Sequence, residues 1–369
     1  MTILQIITSL RTGGAERLVV ELSKRMAAAG DIVEVLLFDG TQTPLRAEIE
    51  EAGITVHSLD IGEKAMHNPL LVFRLRRFLM KHHYDIIHTH NTPCQFLTAA
   101  ASICMRLPLV TTEHGTINRR RSKVWLKNFD RWMYSRYRHI VCVSEETRSN
   151  LSAWLASKVL DERMSVTANG IDFKRIENAS PAADFSDSDC FKILMVSAFR
   201  PEKDQLTLIR AVGMLPFDDY CLFLAGGFEL PEHQTIMETC RSEAKALGIE
   251  SKVRFFGIRD DVPELMAAAD VIVLSSHHEG MSLSLLEGMA SGKPVVASDV
   301  QGMREVVGGA GVLFPEGDAE ALADVLRQMK ENGAYTREVA ERCRERAGKF
   351  DIKTTADSYR RLYERLNID

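Results

Sequence analysis

The sequence predicts an α/β protein of two doubly wound parallel-sheet domains, on three observations. Short apolar runs of strand length alternate with segments of helical period, the pattern of parallel strands covered by helices on both faces. One such series runs to about Gly170, and a second starts at Phe191. At 369 residues the chain is also too long for one ordinary core.

Composition narrows the class. With 45% hydrophobic and 26% charged residues the chain reads as soluble and globular. No apolar run approaches a membrane span, and MTILQIITSL lacks a basic leader region and leads directly into a strand pattern. The expectation is a cytoplasmic, uncleaved protein. The seven cysteines are scattered without a C-x-x-C pair, and Cys104, Cys142 and Cys221 sit in apolar runs. Reduced core thiols are therefore expected, with no disulfide framework. The net charge of −5 hides an asymmetry: residues 1–170 hold 22 Lys and Arg against 17 Asp and Glu. That excess favours an anionic partner or membrane surface and is too small to argue for nucleic acid.

In the first series Ile3 to Thr8 is a buried strand, followed by a loop with Gly13-Gly14 and a helix with Leu18, Val19, Leu22 and Met26 on its apolar face. Strand, glycine loop and helix bring backbone close to a phosphate or sugar, but on spacing alone a tight turn is an equal reading. Strands at Ile32 to Phe38, Ile54 to Leu59, Ile86 to Thr89 and Leu109 to Thr112 alternate with helices at Leu45 to Glu51, Pro69 to Lys81 and Pro93 to Arg106. In such sheets ligands bind outside the carboxyl ends of the strands. Two of those ends carry histidines, His88 and His90 in DIIHTHN and His114 in TTEHG. With no H-E-x-x-H and no thiolate nearby, structural histidines are favoured over a zinc site for His88 and His90.

Arg119 to Arg138, RRRSKVWLKNFDRWMYSRYR, interleaves basic residues with Trp125, Phe129, Trp132, Tyr134 and Tyr137 against one acid, Asp130. Cationic heads on aromatic bodies suit a helix lying in a membrane interface. A helix packed by its aromatics with its charges in water fits equally well. After a strand at His139 to Val143, Ser144 is placed to cap a helix, and Met164 to Thr167 leads into NGID at Asn169 to Asp172. The polar run Asn178 to Asp189 reads as an interdomain linker. The only D-x-D triplet, Asp187 to Asp189, falls within it and is expected to be a solvated turn.

The second series runs FKILMVS, a helix from Asp204, YCLFLAG, a helix to Leu247, VRFF, VPELMAAA and the apolar run Val271 to Leu274. Between its first strand and helix, FRPEKD offers Arg200 and Lys203 to neutralise a diphosphate. The stretch His277 to Glu305 joins a loop, a helix from Ser282 stopped by Gly292 and Pro294, and a strand. A helix N-terminus leaves amides unpaired and carries partial positive charge, so those of Met281, Ser282 and Leu283 could hold a phosphate. Glu287, as a pure acceptor, could take both hydroxyls of a ribose. Glu279 would lie beyond the phosphates, where a sugar joined to them would be. A strand at Gly311 to Phe314 and three helical stretches follow.

Glu279 and Glu287, with GMASGKPVVAS after them, resemble the signature of the retaining glycosyltransferases of family 4, also called group 1. The resemblance implies a GT-B fold of two Rossmann-like domains facing a cleft, with boundaries near 1–170 and 171–350. It also implies a C-terminal helix over 351–369 crossing back to the first domain. It makes the first domain the acceptor side and the second the nucleotide-sugar side. GGAER is similar to the family's N-terminal loop, which implies a donor contact at Gly13 and Gly14. His114 resembles the residue that reaches the donor sugar, NGID the hinge, and Phe256-Gly257-Ile258 the turn whose backbone reads the base. One departure stands out, because Ala198 occupies the place where the family's arginine usually precedes the lysine.

The function so implied is transfer of a hexosyl group from a nucleoside diphosphate donor to a saccharide or lipid-linked acceptor hydroxyl, with retention, in polysaccharide or glycolipid biosynthesis. Neither metal nor cofactor is expected. Lys203, Arg200 and the amides at Ser282 and Leu283 would stabilise charge growing on the leaving phosphate. Two alternatives stay open, a nucleotide-sugar epimerase on the same scaffold and a catalytically silent sugar-binding protein. A dinucleotide oxidoreductase would need the G-x-G-x-x-G that neither half contains.

Overall fold

The computed structural model describes residues 1–11, 13–60, 70–116, 119–186, 189–228 and 230–368. Among them the chain forms two compact units, Met1–Gly170 with Ile352–Asp369, and Ile171–Asp351. Each is an all-parallel sheet, as the continuous apolar runs require. In the first unit β1 (Thr2–Ile7), β2 (Ile32–Leu37), β3 (Thr55–Ser58), β4 (Ile86–His90), β5 (Leu109–Glu113), β6 (His139–Cys142) and β7 (Met164–Val166) lie in the order β3-β2-β1-β4-β5-β6-β7. In the second, β8 (Phe191–Val196), β9 (Tyr220–Ala225), β10 (Val253–Gly257), β11 (Val271–Leu274), β12 (Val295–Ser298) and β13 (Val312–Phe314) lie in the order β10-β9-β8-β11-β12-β13. Both sheets reverse their winding once, between β1 and β4 and between β8 and β11, and a doubly wound sheet opens its ligand crevice at that point. The two doubly wound α/β sheets expected from the sequence are thus present.

The C-terminal helix Ile352–Ile368 belongs to the first unit, where Ile352, Tyr359 and Tyr363 are buried against Ile3, Leu18 and Val110. The chain leaves this unit after Gly170 and re-enters it at Ile352. Those two positions touch: a Cβ on Gly170 would stand 2.6 Å from the Ile352 Cα at the start of the C-terminal helix, so only glycine lets the two segments pass.

Several local expectations change. The helix expected over Pro93 to Arg106 spans Thr92–Ala101, because the chain turns through Cys104 at φ 61° ahead of Pro108. The helix expected from Pro69 is described from Leu70, Pro69 lying outside the described residues. Asn178 to Asp189 is not a free linker. It sits inside the second unit, with Ala182 bonded to the Glu264 carbonyl and Phe185 buried 4.0 Å from the Phe223 ring. Two apolar anchors in a polar run are enough to pin it. Asp187 and Ser188 of the D-x-D triplet lie outside the described residues. Cys190 and Cys221 form a disulfide, against the expectation of reduced thiols. The parallel pairing of Phe191 with Tyr220 and Lys192 with Cys221 brings Cys190, just before β8, to within 5.9 Å Cα to Cα of Cys221, a proximity that spacing in the chain does not reveal. Cys94, Cys142, Cys240 and Cys343 are buried free thiols.

Arg119 to Arg138 is not one helix. It forms two 3-10 turns, Arg119–Ser122 and Val124–Leu126, and the helix Lys127–Ser135. Its aromatics divide: Tyr134 and Tyr137 are buried, whereas Trp125 is 75% exposed and Phe129 and Trp132 cluster with Phe96 at the surface.

Candidate active site

The second unit brings its candidate residues together at the reversal point of its sheet. The loops after β8 and β11 are tied by the His277 amide to the Glu202 carbonyl at 2.9 Å and by the Ser275 hydroxyl to the Asp204 carbonyl at 2.7 Å. Asp204, in the left-handed region at φ 47°, ends the short 3-10 turn Pro201–Lys203 and caps the next helix by accepting from the Thr207 amide. This turn aims the Lys203 ammonium at Glu279, with which it forms an ion pair through Oε1. The Ser276 hydroxyl donates to the same oxygen at 2.9 Å. Arg200, by contrast, is exposed, bonded through its backbone to Ala198 and Lys203, and its side chain makes no hydrogen bond or ion pair among the described residues. Of the two basic residues in FRPEKD, only Lys203 is held at Glu279.

Ser282 is the N-cap of the helix Leu283–Ala290, its buried hydroxyl accepting from the Leu285 amide at 3.3 Å. With Ser282 as the cap, the amides of Leu283 and Ser284 in that first turn have no acceptor within the helix, one residue further along than the Met281, Ser282 and Leu283 amides expected from the sequence. Glu287 is half-buried one turn further along. Ile258 follows β10 and is 46% exposed beyond Gly257, whose φ of 67° turns the chain and whose carbonyl accepts from the Gly226 amide. Beside it Arg259 lies over the Phe256 ring and pairs with Asp261.

Two contributors were not legible in the sequence. Ser276 looked like the polar end of a strand, yet it orients Glu279. Gly302 is the other, since a Cβ there would collide with the Glu279 carbonyl. The helix Gln301–Val307 therefore sits directly beneath the Glu279 loop, and only glycine admits that approach.

In the first unit Gly13 is the N-cap of the helix Gly14–Ala28, with Gly14 exposed at its first position. The Glu16 carboxylate folds back over Gly13. At the reversal point the Thr8 hydroxyl, after β1, donates to Asn91 Oδ1, after β4, at 2.8 Å. His114 follows β5, half-buried, its Nε2 3.1 Å from His90 Nδ1. Burial pulls its pKa down to about 4, so it is a neutral imidazole at ordinary pH. His88 and His90 are fully buried, hydrogen-bonded and held neutral, mainly by desolvation. Among the described residues no cluster of His, Cys, Asp and Glu is arranged to hold a metal ion.

Glu113, one residue before His114, is buried and accepts from the Tyr134 hydroxyl, with Arg121 3.6 Å away. Arg121 also donates to the Thr116 carbonyl at 3.1 Å. This arginine is therefore turned inward to secure the loop after His114. The side chains of Arg119 and Arg120 lie outside the described residues.

Residues 12–175 match the family model described as Glycosyltransferase Family 4, and residues 178–350 match that described as Glycosyl transferases group 1. The chain is 27% identical to N-acetyl-alpha-D-glucosaminyl L-malate synthase of Bacillus anthracis over 95% of its own length and 93% of that protein's. It is 26% identical to phosphatidyl-myo-inositol mannosyltransferase of Mycobacterium leprae, with the same coverage. The fold matches the crystal structure of Anabaena Alr3699/HepE in complex with UDP-glucose, with a TM-score of 0.86 over 99% of both chains at 24% identity. It also matches a glycosyltransferase from Rickettsia africae, with a TM-score of 0.83 over 99% of this chain and 98% of that one at 21% identity.

Proposed function

The chain belongs to the group 1, family 4 glycosyltransferases, and from that premise we propose that it moves a hexosyl group from a nucleoside diphosphate to an acceptor hydroxyl with retention and without a divalent metal. The observation that carries this reading is the convergence of Lys203 and Glu279 beside the N-terminus of the helix Leu283–Ala290. A diphosphate bound there meets an ammonium and two helix amides, fixed donors aimed at the charge that grows as the leaving group departs. The bond from the anomeric carbon to the phosphate oxygen breaks, and one to the acceptor oxygen forms on the same face. The acceptor proton passes to the departing phosphate, so the protein need not supply a general base. Glu279, freed from Lys203 as the phosphate takes its place, orients the donor sugar. Glu287 binds the ribose hydroxyls, and the backbone at Ile258 meets the base. Gly13, Gly14 and His114 serve the donor from the first unit, which carries the acceptor.

The Anabaena neighbour was crystallised with UDP-glucose, and an Escherichia coli relative, 24% identical, uses UDP-Gal and a GlcNAc-diphosphoundecaprenol acceptor. A lipid-linked or saccharide acceptor is the corresponding reading here. It fits a peripheral site on an anionic membrane, because one face of the helix Leu70–Lys81 exposes Leu70, Phe73 and Met80 among Arg74, Arg77 and Lys81. No helix among the described residues is long and apolar enough to cross a membrane.

The test is a thermal-shift screen of UDP-, GDP- and ADP-sugars, since a ligand stabilises with the logarithm of its concentration over its Kd. One nucleotide class should raise Tm, and its sugar should then appear on an acceptor. A sugar epimerised without acceptor would favour the epimerase reading. No shift with any of the three would remove the donor site.

A further inference from the structure

His277 has no role in the transfer just described, yet it joins three loops of the second unit around the Lys203–Glu279 pair. Its backbone amide donates to the Glu202 carbonyl at 2.9 Å, and the Ser275 hydroxyl reaches the Lys203 carbonyl at 3.3 Å and the Asp204 carbonyl at 2.7 Å. Glu202, Lys203 and Asp204 are thus each bonded to the chain just after β11. The His277 ring adds a third loop. Its Nδ1 is 2.8 Å from Glu316 Oε1, after β13, and its Nε2 is 3.7 Å from Asp204 Oδ2.

Both ends of this bridge are themselves held. Glu316 lies in the turn Pro315–Asp318, closed by the Asp318 amide on the Pro315 carbonyl at 3.1 Å, with Gly317 at φ 72°. Asp204 has a left-handed backbone at φ 47°, and its carboxylate accepts from the Thr207 amide at 3.3 Å and the Thr207 hydroxyl at 2.6 Å at the head of the helix Gln205–Gly213. An imidazolium donates from both nitrogens and ionised carboxylates only accept, so the partners fix the direction of both contacts. The side chains of His277 and Glu316 are 42% and 48% exposed, and exposed pairs of this kind add little to stability. What they set is the aim of the turn between them.

Resting on the reading of Lys203 as the cation at the leaving phosphate, we propose that His277 is a positioning residue. By pairing with Asp204 and Glu316 it fixes the turn Pro201–Lys203 against the Glu279 loop, so that the Lys203 ammonium keeps its place while Glu279 gives way to the diphosphate. Charge growing on the leaving oxygen is stabilised by a donor already in position, so a turn that drifts lowers the rate more than the affinity.

The experiment compares His277→Asn, Asp204→Gly and Glu316→Ala with the unsubstituted chain, following nucleoside diphosphate release from UDP-glucose, GDP-mannose or ADP-glucose, whichever is turned over. Asparagine at 277 keeps a donor near Glu316 and none near Asp204, while glycine at 204 adopts the left-handed backbone without strain and removes the carboxylate. In each variant kcat should fall about tenfold, with Tm little changed and the Kd of free UDP, GDP or ADP, by calorimetry, within about twofold. His277→Asn combined with Asp204→Gly should be no slower than the slower single variant, because both remove one contact. A kcat within about twofold of the unsubstituted chain in any of the three, effects that multiply in the double variant, or a fall in Tm that tracks the loss of rate overturns the inference. If Lys203→Ala releases nucleoside diphosphate at the unsubstituted rate, the reading of Lys203 has failed, and the positioning role with it.

Discussion

Lys203 is bonded to the same oxygen of Glu279, Oε1, that accepts the Ser276 hydroxyl, so the cation proposed to bind phosphate and the carboxylate proposed to bind the sugar neutralise each other. Both side chains are mostly buried, at 19% and 12% exposure, which keeps the pair from being fully screened. On the proposed mechanism donor binding exchanges one anion for another at Lys203. Glu279→Gln should tighten binding of the free nucleoside diphosphate by about threefold to tenfold, up to about 1.4 kcal/mol, while turnover of the donor falls. Isothermal calorimetry decides it, and weaker diphosphate binding in Glu279→Gln would refute the exchange.

Glu287 is assigned the ribose. Replacement by alanine should weaken nucleotide binding by about 1.5 to 3 kcal/mol, the worth of a charged hydrogen-bond partner, and calorimetry with the free nucleotide measures it. Unchanged affinity would remove the residue from the site.

On the proposed mechanism activity should survive EDTA, Lys203 and the helix amides at Leu283 and Ser284 supplying the charge that a divalent cation supplies elsewhere. Loss of turnover restored by manganese would show that these groups are insufficient.

Stability of the first unit should fall with acid. His88, His90 and His114 are held neutral in the fold, all below the ordinary 6.5 and His114 at about 4. Below pH 6.5 the unfolded chain binds protons that the folded chain refuses, so each histidine lowers stability by about 1.4 kcal/mol per pH unit until its folded pKa is reached. Trp125, Trp132 and Trp154 all lie in the first unit, so urea unfolding followed by tryptophan fluorescence reports it. Between pH 6.5 and 5 the stability should drop steeply, and His88→Gln should flatten the slope. An identical slope in that variant would contradict the assignment.

Vesicle binding should depend on the exposed basic and apolar residues and not on Arg121, which is turned toward Glu113. Sedimentation with anionic vesicles should weaken as salt rises. Arg74→Gln, Arg77→Gln and Lys123→Gln together should reduce it by about 1 kcal/mol per charge removed. Donor binding should stay intact. Absence of binding at low salt would leave these faces as solvated surface.

Local chemistry was legible in the chain itself. The apolar runs that became β1 and β11, the caps at Ser144 and Ser282, and the stop at Gly292 depend on residues adjacent in sequence, so period and turn rules reach them. Lys203, Glu279 and Glu287 stood out as candidates because the loops and helix that carry them follow buried strands, and the structure brings the first two together. Tertiary structure decided what depends on partners distant in the chain. Tyr134 and Trp125 are alike in composition, yet one is buried against Glu113 and the other is exposed. Phe185 turned a polar run into part of a domain, and Cys190 met Cys221 through strand register. Gln5, His90 and Tyr363 became one network across 358 residues of sequence only because β1, β4 and the last helix share a core. Burial and hydrogen-bond direction are set by such neighbours, and no local pattern encodes them.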